Sequence, residues 1–160
     1  MIFDEAIEIV FEEEGPLSYD TKDGLPTKWG LRAAYFPAVY RETFSKDDAR
    51  PLYKAQYWDK VSCDKFPAFL RFVLFECSIN QGQITAIKAL QHALRVKEDG
   101  WIGPVTIQSA TDSGMKGLAE FAARRAQLYA ADTGYIENGH GWLARLERDV
   151  IRSAKYLVTG

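Results

Sequence analysis

Apolar positions recur at helical spacing along most of the chain, and the places where that spacing fails divide it into elements. Over residues 2–14, Phe3, Ala6, Ile7, Val10 and Phe11 share one side, and Gly15-Pro16 ends the pattern, which predicts a helix. From 15 to 31 the period breaks. Gly, Pro, Ser and Asp recur there, so a short irregular hairpin or small sheet is expected. Residues 32–44 are rich in aromatics and interrupted by Pro37, which suits short helical turns. Ser45 with Asp48 three positions on has the form of an N-cap opening a helix to about residue 59.

Residues 66–79 (FPAFLRFVLFECSI) are apolar nearly all round, as in a helix buried on every side, and Asn80-Gln81-Gly82 ends them. A helix is expected over 83–96, then a turn, KEDGWIGP, then a helix opening after Pro104. Two amphipathic stretches follow, 116–132 and 141–158, separated by a Gly- and Asn-rich loop over 134–141. The reading is one compact domain over 1–160, predominantly α-helical, with a polar excursion after its first helix. It contains no repeats, long linkers or low-complexity tracts.

Helix phase then separates three consecutive glutamates, Glu12, Glu13 and Glu14. With Phe3 at zero and about 100° per residue, Ile7 falls near 40° and Val10 near −20°, so the apolar arc is centred close to zero. Glu14 falls near 20°, inside that arc, whereas Glu13 lies near −80° and Glu12 near 180°. A carboxyl among apolar groups favours its neutral form, and a helix C-terminus acts in the same direction. A neutral carboxylic acid is what general acid catalysis requires. The alternative is a partly buried Glu satisfied by an Arg or a backbone N–H.

Asp23 stands nine residues after Glu14 and Thr27 four after Asp23, in a segment that can fold back over the helix end. Two carboxyls across a cleft, with a hydroxyl nearby, suit inverting glycoside hydrolysis, in which one acid protonates the leaving oxygen and the other group positions a water. Trp29 could offer a flat face to a sugar ring, although Asp and Thr are common turn residues and a Trp is more often core.

Composition narrows the partners. With 47% apolar and 26% charged residues the chain is a folded domain rather than a disordered segment. A net charge of −2 argues against a nucleic-acid binder that depends on a broad basic surface. No apolar stretch is long enough to predict stable insertion in a bilayer, and the acidic N-terminus lacks the basic region of a secretory signal. Cys63 and Cys77 are expected to remain thiols, and His92 and His140 have no metal-ligand spacing around them, so no metal site is read.

The segment Glu14-Gly15 … Asp20 … Asp23 … Thr27-Lys28-Trp29-Gly30-Leu31 resembles the motif E-G-G-Y-x-x-D-x-x-D-x-G-G-x-T-x-x-G-I of glycoside hydrolase family 108. These are lysozyme-like muramidases found as phage endolysins and as bacterial secretion activator proteins. The resemblance continues along the chain. Tyr57-Trp58-Asp59 is similar to the family's W-D segment, and Ile79-Asn80-Gln81-Gly82 to its V-N-x-G. Residues 90–94 (LQHAL) and 99–106 (DGWIGPVT) resemble L-Q-x-A-L … D-G-x-x-G-P-x-T, and Gly141-Trp142-Leu143-Ala144-Arg145 its G-W-x-x-R. Two departures fall in the first segment. Pro16-Leu17 replace Gly-Tyr, and the run from Asp23 to Thr27 is one residue shorter, which bears on where Thr27 falls.

The resemblance implies an α+β, predominantly α-helical, lysozyme-like fold with a small β-hairpin region after the first helix. It implies a peptidoglycan hydrolase, an N-acetylmuramidase, with Glu14 as general acid, Asp23 as the water-positioning or charge-stabilising carboxylate and Thr27 as a partner for the water. Asp20 would hold the loop or touch substrate, and Trp29, Asn80 and Gln81 would meet the sugar, helix capping being the other reading of Asn80 and Gln81. Residues 84–160 resemble, in part, a helical peptidoglycan-binding module, although a plain Gly/Pro turn also accounts for DGWIGPVT. Trp58, Trp101 and Trp142 are expected in the core. No cofactor is implied. The expected partner is bacterial peptidoglycan, met by a monomer that waits in the cytoplasm for holin-dependent release. A lytic transglycosylase using Glu14 alone and a catalytically silent peptidoglycan-binding protein are the alternatives.

Overall fold

The computed structural model describes residues 1–19 and 23–157. It divides into two compact units, one spanning Ile2–Gln56 and one that begins at Tyr57 and takes in Met1. Residues 84–160 lie within the second unit and begin inside a helix, Gln83–Ala93. Asp20 lies outside the described residues.

The first unit opens with α1 (Phe3–Glu14), whose buried residues are Phe3, Ala6, Ile7, Val10 and Phe11, the stripe that the apolar spacing marks. The Glu5 carboxylate reaches back to accept the Ile2 N–H at 2.9 Å, satisfying one of the donors a helix start leaves unpaired. At the other end the Gly15 N–H donates to Phe11 O at 3.1 Å, with Gly15 at φ 72°. The polar excursion is a three-stranded antiparallel sheet in the order β1 (Ser18–Tyr19), β2 (Pro26–Lys28), β3 (Leu31–Arg32). A 3₁₀ turn over Pro37–Tyr40 follows, and then α2 (Lys46–Tyr53). Ser45 caps α2 as its spacing predicts: its hydroxyl accepts from the Asp48 N–H, and the Asp48 carboxylate accepts the Ser45 N–H at 2.9 Å. The chain leaves α2 through a wider π turn, Lys54–Trp58.

The second unit is helical. Its centre is α3 (Ala68–Gln81), buried without interruption from Phe72 to Ser78, as expected of a helix apolar on all sides. Each fully buried Phe there (Phe72, Phe75) contributes about 1.5–3 kcal/mol through removal of its ring from water. Beyond it come α4 (Gln83–Ala93), α5 (Pro104–Ala130), interrupted at Gly114 (φ 52°, ψ −144°), and α6 (Tyr135–Ala154). Among the described residues no helix is long and apolar enough to cross a membrane. The predominantly helical α+β architecture with one small sheet after α1 is the lysozyme-like arrangement that the resemblance implies.

Two sequence expectations are corrected. Residues 135–141, expected as a loop, form the first two turns of α6. Glycine weakens a helix only by about 1 kcal/mol, and asparagine by less. At Gly139 the missing side chain is what lets the Tyr135 ring, one turn earlier, lie across the helix. Trp101, expected in the core, is 68% exposed. Its ring fills the space that a side chain at Gly103 would need, so the DGWIGP turn is closed by local contacts instead of burial.

Candidate active site

The half-buried carboxylate of Glu14 ends α1, and the β2–β3 turn comes against it. Glu13 is also half-buried and Glu12 exposed, so burial alone does not single out Glu14. The turn does. It has two residues, Trp29 and Gly30, both with positive φ (53° and 79°), a combination that matches the right-handed twist of the flanking strands. A Cβ on Gly30 would stand 2.8 Å from Glu14 Cγ and closer still to the Tyr53 hydroxyl. Glycine is required here because the backbone passes directly over the Glu14 side chain.

Trp29 adopts a left-handed conformation unusual for a large residue. Three contacts hold it there. The Tyr53 hydroxyl donates to Trp29 O at 3.0 Å, the Phe11 ring meets the indole edge-on at 5.8 Å, and Lys46 Nζ lies 5.2 Å from the indole centroid. Phe11 is in turn packed edge-on against Tyr53 at 5.9 Å. A Glu8 carboxylate bonded to Arg50 and Lys46 ties α1 to α2 on the outer side. The end of α1, the turn and α2 are thus interlocked around Glu14. Trp29 serves in this lock with one face beneath a lysine.

Strand register places the other two candidates. Thr27 on the middle strand is paired with Ser18 on β1 and with Arg32 on β3, so these three side chains form a row on one face of the sheet. Arg32 Nη2 donates to Asp23 Oδ2 at 2.6 Å, and the other oxygen of Asp23 accepts the Leu25 N–H at 3.0 Å. Asp23 is therefore fixed in place by an Asx-type turn and an ion pair, with the Thr27 hydroxyl next in the row to its partner Arg32. The shortened loop leaves Thr27 in the ladder. Sequence reasoning passed over Arg32, Tyr53 and the role of Gly30. The Arg32 signal was available only through register, since nothing in the spacing from 23 to 32 dictates the pairing.

Asn80 and Gln81 end α3 in the second unit. They line a cavity of about 340 Å³ with Tyr129, Asp132, Trp142 and Arg145. Asn80 Nδ2 donates to the Glu76 carboxylate and to Glu76 O at 3.0 Å, while its Oδ1 accepts from Arg145 Nη1 at 3.0 Å. Gln81 Oε1 accepts from Arg125 Nε at 3.2 Å. Trp142, expected in the core, is half-buried and tilted against Tyr129, 5.3 Å between centroids. The interval of three residues between Trp142 and Arg145 puts both on one helical face, a signal present in the sequence. In the turn after α4 the buried Gln91 side chain bonds Asp99 Oδ1, Trp101 O and the Gly100 N–H, each at 2.9 Å. The Trp101 N–H and then Gln91 hold the Asp99 carboxyl below its ordinary pKa. The conspicuous residues of DGWIGP thus include a closed structural clamp. Among the described residues no cluster of His, Cys, Asp and Glu is arranged to hold a metal ion.

Residues 7–82 match the family model described as Glycosyl hydrolase 108. That span contains the α1 end, the sheet, α2, α3 and every sequence-predicted site residue. Among solved structures, SagA from Brucella abortus superposes over 97% of this chain and 95% of its own, with a TM-score of 0.85 and 25% sequence identity. No curated protein matches the chain by sequence.

Proposed function

With residues 7–82 matching the glycosyl hydrolase 108 family model, we propose that the chain is a peptidoglycan hydrolase, an N-acetylmuramidase cleaving the β-1,4 bond from N-acetylmuramic acid to N-acetylglucosamine. The observation that carries this reading is the seat of Glu14. Half-buried Glu14 stands at a helix end with a glycine turn packed close against its side chain, and the sheet segment that carries this turn also carries Thr27, preceded by Asp23 in its ion pair with Arg32.

In the proposed reaction Glu14 gives its proton to the glycosidic oxygen as the bond to the anomeric carbon breaks. A water attacks that carbon from the opposite face and passes a proton to Asp23, with the Thr27 hydroxyl orienting it. Arg32 aims Asp23 for that step through their ion pair. Asn80 and Gln81 are read as further substrate-contacting residues, within the second unit. The setting we read is phage lysis, checked by co-expression with a holin: lysis should need both proteins.

The test is digestion of peptidoglycan sacculi by the wild type and by Glu14→Gln, with released muropeptides identified by mass spectrometry. Removal of a general acid lowers turnover by about 10²–10⁴-fold. Reducing N-acetylmuramic ends support the muramidase, and 1,6-anhydro ends would replace it with a transglycosylase. Equal activity in the two proteins would remove Glu14 from its role, and no release by either would leave a binding protein.

A further inference from the structure

An exposed tyrosine stands against the Arg32–Asp23 ion pair. Tyr35 follows β3 in a tight turn fixed by two bonds, the Tyr35 and Phe36 N–H groups both donating to Arg32 O at 3.0 Å. The turn sets the phenol against the Arg32 guanidinium, whose Cζ lies 5.9 Å from the ring centroid. The same guanidinium donates to Asp23 Oδ2 at 2.6 Å. One side chain thus touches both the carboxylate and the ring, and fixes the one relative to the other.

The ring is nevertheless 74% exposed, so with Arg32 over one face the other is open to solvent. An exposed aromatic by itself is ordinary surface. Tyr40, 55% exposed, has no ring or cation contact among the described residues and is of that kind. Tyr35 differs in being held. The turn and the cation already restrict its ring, so a ligand that stacks on it has less freedom left to remove. Strand register gives the ring its place. Gly30 packs against Glu14, and Arg32 follows two residues on, about 7 Å along the strand. Tyr35 comes after Arg32, so the chain runs from the acid to the carboxylate pair and then to the ring.

We propose that Tyr35 is the floor of a saccharide subsite beside Asp23, stacking under a hexosamine of the glycan strand on the Asp23 side of the cut bond. A β-linked hexosamine carries its polar groups around its edge and a face of C–H bonds, whose partial positive charge favours the electron-rich face of an aromatic ring. A polymer held between Glu14 and Asp23 runs on past the cut, and the open Tyr35 face offers it an apolar surface there. The inference rests on the glycan-cleaving reading above and adds a residue which that reading does not use. Tyr35 binds and does not react, so its contribution falls on affinity.

Kinetics on soluble, uncrosslinked glycan strands separate this role from a supporting one. Tyr35→Ala should raise KM about tenfold and lower kcat by less than about threefold. Tyr35→Phe should bring KM back to within about twofold, because the ring and not the hydroxyl carries the contact. Tyr40→Ala should leave KM unchanged. A tyrosine that only props Arg32 against Asp23 would instead lower kcat at constant KM, and that result overturns the proposal. Binding is read apart from catalysis in the full chain carrying Glu14→Gln, titrated with the tetrasaccharide of N-acetylglucosamine. The Tyr35 ring protons, assigned by their loss in Tyr35→Phe, should shift saturably in NMR, and Tyr35→Ala should raise the calorimetric Kd by about the factor seen in KM. Should Tyr35→Ala fold poorly, the ring shift alone decides. No saturable shift at Tyr35, or a Kd equal with and without the ring, overturns the proposal. A chain that binds the tetrasaccharide on Tyr35 yet releases no muropeptide refutes the hydrolase and keeps the subsite. Hydrolysis that does not depend on Tyr35 refutes the subsite alone.

Discussion

Replacing Gly30 with alanine tests whether the β2–β3 turn seats Glu14. Two costs add. An L-residue at φ 79° is strained by roughly 1–2 kcal/mol relative to glycine. The new methyl would also stand 2.8 Å from Glu14 Cγ, where carbon contacts prefer about 3.5–4.0 Å, with the Tyr53 hydroxyl crowding its other side. Overpacking of that kind costs typically about 1–3 kcal/mol. The sum, about 2–5 kcal/mol, corresponds to a fall of about 4–20 °C in Tm for a chain of this length. Gly24→Ala separates the two costs. It sits at φ 68° with nothing within 4 Å of the added Cβ, and so carries the conformational strain alone. Thermal unfolding of the three proteins should therefore rank wild type, Gly24→Ala and Gly30→Ala in falling order. Turnover of sacculi adds the functional half. A displacement of the acid by about 1 Å costs on the order of 100-fold in rate, so Gly30→Ala should lose activity well beyond its loss of folded protein. If Gly30→Ala melts with Gly24→Ala and keeps wild-type turnover, the turn does not hold the acid and the proposed seat is wrong.

The buried network gives a second prediction. Arg125→Met leaves Asp149, fully buried at 3.5 Å from the guanidinium, without that partner and should cost about 3–5 kcal/mol in urea unfolding. Adding Asp149→Leu should restore part of the loss, and a single-variant loss under about 1 kcal/mol would contradict the network's role. A third concerns alkaline stability. Burial pushes the Cys77 thiol up to about 11. The unfolded chain then releases that proton at lower pH than the folded one. The thiol's contribution is whole below the unfolded value near 8.5 and declines as pH rises toward 11, by about 1.4 kcal/mol per unit. Melting curves from pH 8 to 11 should fall less steeply in Cys77→Ala than in the wild type, and equal slopes would refute the assignment.

Periodicity was enough to place α1, the cap of α2 at Ser45 and the all-round apolar α3, because each rests on local spacing that tertiary contacts only reinforce. It failed where packing overrode propensity. Residues 135–141 carry weak helix formers, yet they are helical, with the Tyr135 ring packed over Gly139 one turn on. Trp101 is large and apolar, yet it packs on a neighbouring glycine outside the core.

The candidate site divides in the same way. Helix phase put Glu14 on the inner side of α1, and chain spacing brought Asp23 and Thr27 into one short segment. The features that would make Glu14 a usable acid depend on residues distant in sequence. Gly30 presses on it from a turn, Tyr53 holds that turn from α2, and Arg32 reaches Asp23 through strand register. The cavity of the second unit is assembled likewise, chiefly from the end of α3, the end of α5 with Asp132 beyond it, and two residues of α6. The chain alone determined which carboxyls and amides were available and on which face of each helix they stood, because those follow from a 3.6-residue period. Which of them are oriented, crowded or paired was decided only by the tertiary structure, since side-chain direction is set by contacts whose sequence separation no period records.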